Sequence, residues 1–188
     1  MDINRIYLLI ILVLSPDMSR MTSRILCDQR IILVYVNRTK TMEGMVAQCT
    51  EQTTLLVPIT LPSVEVRITE WQNMTAAQQG TKVVSHLKHI LNVTQNLNTT
   101  ECFSKQLKKL RHSVREIQGL VHKAWRYANN NTHLNPEANN GSHHLAISNS
   151  SDITDIFQRF SKLLQGKVTF LMQTLRKGNC RGFLANHL

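Results

Sequence analysis

From Cys102 the chain reads CFSKQLKKLRHSVREIQGLVHKAWRY, with apolar residues at Phe103, Leu107, Leu110, Val114, Ile117, Val121 and Ala124. Steps of four and three alternate without a break, which is one stripe of an α-helix. After Asp152 a second run puts Ile153, Ile156/Phe157, Phe160, Leu163/Leu164, Leu171 and Leu175 on one stripe. Gly178 is placed to end that helix, behind Arg176 and Lys177, whose charges suit a last turn. Ile68–Thr94 predicts a third helix through Trp71, Val83/Val84, Leu87 and Ile90/Leu91, although its early half is polar. Asp28–Gln48 predicts a fourth through Ile31/Ile32, Tyr35, Met42 and Met45/Val46; Val34 and Val36 would also suit a strand.

The connections between these segments carry the topology. Thr50–Thr69 joins the first two and holds two short extended pieces, LLVPI and VEVRI, around Pro58 and Pro62. A few residues around Asn96–Glu101 join the second to the third, and an Asn- and Ser-rich exposed stretch over 128–151 joins the third to the fourth. A helix of about 20 residues is about 30 Å long, so a short link forces antiparallel neighbours while a long one runs end to end. Long-short-long predicts an all-α, four-helix bundle, up-up-down-down with two long crossovers, the topology of helical cytokines. The four cysteines fit it in one way. Cys27 and Cys180 fall at one pole and Cys49 and Cys102 at the other, whereas Cys27–Cys49 would bridge opposite ends of one helix.

Ile6–Leu14 (IYLLIILVL) follows a short head carrying Arg5, the length of a signal-peptide core and too short for a membrane span. Residues 1–23 are therefore expected to be a signal peptide, cut near Ser15, Ser19 or Ser23, and 24–188 the mature domain. No later segment is apolar enough to insert in a membrane. Glycosylation sequons begin at Asn37, Asn73, Asn92, Asn98, Asn130, Asn140 and Asn149, seven where this composition gives about two by chance. Both features point to secretion, where four cysteines form disulfides rather than free thiols.

Lys+Arg is 22 against Asp+Glu 12, a net +10. The run Lys105, Lys108, Lys109, Arg111, Arg115 could meet heparan sulfate, anionic lipid or an acidic receptor face, or be a solvated helix surface. It lacks interleaved aromatics, and secretion argues against nucleic acid. No phosphate-binding loop, dinucleotide Gly motif, H-E-x-x-H or G-x-S-x-G occurs, so nothing supports an enzyme or a cofactor. His86 and His89 stand three apart but have no Cys or carboxylate at ligand spacing, so no metal site is expected. His143–His144 read as solvated residues of the Asn-rich connection.

Four stretches together resemble the erythropoietin–thrombopoietin family of helical cytokines: Cys27–Ile32 (CDQRII), Val57–Pro62 (VPITLP), Val64–Trp71 (VEVRITEW) and Phe160–Met172 (FSKLLQGKVTFLM). All four cysteines fall in register, and 128–151 matches nothing. The F-L-M ending and the E-W pair lean toward the thrombopoietin branch. The missing counterpart of a long glycosylated C-terminal region leaves the erythropoietin branch open. The resemblance implies a secreted haematopoietic hormone without catalytic activity that brings together two chains of a class I cytokine receptor. It implies a high-affinity face on the first helix, first crossover and fourth helix, with Asp28, Arg30 and Lys167 at charged positions. Val34, Gln165 and Thr169 stand where relatives carry basic residues. Lys167, lone among apolar neighbours, is expected to point outward, since burying its charge is costly.

Overall fold

A computed structural model describes residues 28, 30–50, 53–128 and 145–180; the expected signal peptide, Cys27 and most of the Asn-rich connection lie outside them. Helix α1 is Ile31–Ala47 and α4 is Glu101–Ala128. All seven apolar positions of the α4 stripe are buried, and Val34 and Val36 are helical, Val34 exposed and Val36 buried. The expected second helix is two: α2, Ile68–Asn73, and α3, Ala76–Asn96. The break falls where Met74 and Thr75 turn extended. Thr75 Oγ1 then accepts from Gln78 N and Gln78 Oε1 accepts from Thr75 N, a reciprocal cap that starts α3 afresh.

The last helix is also divided. Helix α5, Thr154–Leu163, passes through a π turn, Leu164–Val168, into α6, Thr169–Asn179, so Gly178 is inside the helix rather than its terminator. One local and one distant contact accompany the wide turn. Thr169 donates both its N–H and its Oγ1 to Leu164 O, five residues back. Gly166 lies so close to the first crossover that an added Cβ would stand 2.9 Å from Val66 Cγ2.

The helices run up-up-down-down. Arg176 near the end of α6 donates to Asp28 O at 2.8 Å, placing that end beside the start of α1. At the other pole Cys49 is bonded to Cys102 with Cα atoms 6.1 Å apart, at the end of α1 and the start of α4. Cys180 is also disulfide-bonded, and its expected partner Cys27 lies outside the described residues. The crossovers depart from expectation. The first holds one strand, β1 (Thr54–Pro62), while VEVRI has no strand and begins α2. The second ends in β2 (Ile147–Asp152), in the stretch expected only to be an exposed connection, and the two pair antiparallel from Ile59↔Ser150 to Pro62↔Ile147. The ladder is interrupted between Thr54 and Ile59, where Leu56, Val57 and Pro58 bulge into solvent.

Candidate functional site

The π turn places Gly166 and Lys167 against the first crossover. Lys167 is 3% exposed, which corrects the expected outward position. Its Nζ donates to Ser63 O at 2.9 Å and lies 3.0 Å from His86 Nε2. His86, equally buried on α3, has Nδ1 against Lys82 O and Nε2 2.9 Å from Ser63 O. With a neutral imidazole, Nδ1–H donates to Lys82 O and the ammonium donates to both His86 Nε2 and Ser63 O, two acceptors drawn together around one cation. Burial, reinforced by the Lys167 charge, pushes His86 down to about 4. Burial, then repulsion from Lys82, brings Lys167 down to about 8, with Glu70 and Glu65 opposing. The desolvation cost foreseen for a buried lysine is real, but two acceptors aimed at the ammonium offset it. The pair opens onto a cleft of about 280 Å³, at whose rim Lys82 Nζ meets Glu70 Oε1 at 3.0 Å.

Asp28 and Arg30 sit elsewhere, at the pole beside Arg176. Asp28 Oδ1 accepts from Arg30 N at 2.9 Å and Arg30 Nε at 3.2 Å, ordering the entry into α1. These bonds, the backbone one foremost, hold the Asp28 carboxyl below the usual carboxylate range. The Arg30 side chain is 86% exposed. Lys167 is nine residues before Arg176 on the last helix, roughly 13 Å along its axis. The three expected contacts are therefore not brought together: two stand at the pole and the third is inside. Val34 and Gln165 are exposed and Thr169 is half-buried.

Two features escaped the sequence. Leu56 and Val57 on the β1 bulge, with Leu33 and Val34 on α1, are large apolar side chains open to solvent. The His86–Lys167 pair joins residues 81 apart, with only the odd lysine in an apolar run as a signal. His89 Nε2 faces Thr60 O at 2.8 Å, so the two histidines serve the crossover, and no metal-binding cluster occurs among the described residues. Asn37, Asn73, Asn92, Asn98 and Asn149 are exposed; Asn130, Asn140, His143 and His144 lie outside the described residues. Among the described residues no helix is long and apolar enough to cross a membrane.

Comparison with known proteins agrees with this architecture. The family model for erythropoietin/thrombopoietin matches residues 24–182. Thrombopoietin of the dog, Canis lupus familiaris, is 27% identical over 153 residues, covering 78% of this chain. The chain spans 39% of that relative's length. With the match running the length of the bundle, and the helices ordered and tied as described, the chain belongs to the erythropoietin/thrombopoietin family, whose members are cytokines and not enzymes.

Proposed function

We propose that this chain is a secreted haematopoietic hormone of the thrombopoietin type. It binds a class I cytokine receptor, the thrombopoietin receptor, and draws two receptor chains together to drive growth and differentiation of megakaryocyte or thrombocyte precursors. The observation that carries the reading is the similarity to a thrombopoietin along most of the bundle. No bond changes in such a protein. Its work is to hold two receptor-binding surfaces on one rigid body, so that capture of a first receptor raises the effective concentration of a second. The first surface is proposed around the start of α1, with Asp28 and Arg30 as charged groups that set orientation and on-rate. The buried Lys167 belongs to this reading only as a positioning residue that fixes the crossover beside that surface. The expected signal sequence and exposed sequons support secretion.

Erythropoietin-like action on red-cell precursors is the alternative within the family, because the matching family model spans both hormones. One assay separates them. Factor-dependent cells carrying either receptor are given the glycosylated protein. Growth through the thrombopoietin receptor alone is expected; growth through the erythropoietin receptor alone would move the chain to the other branch. Silence of both at saturation would overturn the reading.

A further inference from the structure

Secondary structure divides the exposed sequons by what a modifying enzyme can grasp. A sequon is read through two side chains, the Asn that takes the sugar and the Ser or Thr two positions on. In an α-helix those side chains stand about 200° apart, whereas in a strand they share a face. Asn37 on α1 and Asn92 on α3 are helical and exposed, while Thr39 and Thr94, which complete their sequons, are 0% exposed. Each buried hydroxyl is also engaged by the backbone: Thr39 Oγ1 donates to Tyr35 O and Thr94 Oγ1 to Leu91 O, both at 2.8 Å. Asn149 on β2 is the opposite case. It and Ser151 are both exposed on one face of the strand, and Ser150 between them is buried on the other. The ladder to Thr60 lies in the plane of the strand pair and leaves that face open.

We propose that Asn37 and Asn92 receive glycans only before α1 and α3 close onto the core, whereas Asn149 remains a substrate for glycan transfer on the folded protein. In the transfer, the Asn Nδ2 forms a bond to C1 of an oligosaccharide and gives up a proton. The bond from that carbon to the diphosphate of a lipid-linked donor breaks, and the lipid diphosphate leaves. Access is what differs. To bring Thr39 or Thr94 beside its Asn, the helix must unwind and a core side chain must come out, which breaks backbone hydrogen bonds and opens close packing. Ser151 needs no such movement. Cys49–Cys102 fastens the end of α1 to the start of α4, so closing the bundle also closes the Asn37 sequon. Occupancy of Asn37 and Asn92 is therefore set by a race between transfer and folding, and a chain that folds first keeps both bare. In the cell this rests on the secretion proposed above, where such donors are met; the geometry is independent of receptor binding.

The test uses the full chain secreted from cells in which synthesis of the lipid-linked donor is blocked, with folding checked by circular dichroism. It is incubated with an oligosaccharyltransferase and a lipid-diphosphate oligosaccharide, and each site is followed by glycopeptide mass spectrometry. Each rate is divided by that of the same site in the reduced and alkylated chain, which removes the difference between Thr and Ser sequons. The folded-to-unfolded ratio at Asn149 should exceed those at Asn37 and Asn92 at least about tenfold, since modification of the helical sites must wait for local opening. Equal ratios at the three sites, high or low, would overturn the proposal. Where a full block stops secretion, a partial block yields folded, under-glycosylated chains whose empty sites are scored in the same way. Absence of the chain from the medium with the donor intact would count against the secreted hormone and not against this ordering, which a chain refolded in vitro still tests.

Discussion

At the scale of single residues the weight falls on Lys167 and His86. A surface lysine tolerates charge reversal, but here Lys167→Glu would set a carboxylate against two acceptors, Ser63 O and His86 Nε2. Urea unfolding should show a loss of at least about 3 kcal/mol, the cost of an uncompensated buried charge. Lys167→Met, which takes the donor from Ser63 O and His86 Nε2 without adding a charge, should lose about 1–3 kcal/mol. Wild-type stability in both would return Lys167 to the surface. His86 gives a pH signature. Its folded form resists protonation down to about 4, while the unfolded chain takes up the proton near 6.5. Stability contributed by neutral His86 is therefore complete above pH 6.5 and is lost as pH falls toward 4, up to about 3 kcal/mol. His86→Gln, which cannot titrate, should flatten the urea midpoint across that window relative to wild type; parallel profiles would rule the histidine out.

At the scale of elements, what could be read in advance follows from what each helix has to bury. The α4 stripe was legible residue by residue because a helix packed on one side writes its period into the chain. The divisions were not. A break at Met74–Thr75 is recorded in the T-x-x-Q cap, a local signal lying in the polar early half of the segment, where the apolar stripe gives no guide to continuity. The π turn depends on Lys167 finding Ser63, 104 residues away, and on Val66 pressing on Gly166, neither of which leaves a periodic trace. For the same reason the lysine's inward direction was missed: its partners lie on other elements, and only their presence makes burial tolerable. The β1–β2 ladder was half visible, since LLVPI reads as extended while the polar ISNSSD does not.

Across the whole molecule, the crossovers are tied to the bundle and to each other. The first is pinned to α3 and the π turn by Lys167, and to the second crossover by the β1–β2 ladder; Cys49–Cys102 fastens the pole where it begins. That disulfide joins residues 53 apart, so replacing Cys49 and Cys102 together by Ser should lower stability by roughly 2–4 kcal/mol in non-reducing urea unfolding. A loss below about 0.5 kcal/mol would show that the bridge does not restrain the unfolded chain. The threonines distributed over the bundle carry a different consequence. Thr75 is the third residue of the Asn73 sequon and the cap of α3, while Thr39 and Thr94, which complete the sequons of Asn37 and Asn92, are buried and donate to Tyr35 O and Leu91 O. Half of each glycan address is thus written in residues that folding already requires. Point mutations at these threonines other than to Ser would erase the sequon and damage the scaffold together, so a lineage could lose these three sequons cleanly only through the asparagines, a smaller mutational target than a free surface sequon offers.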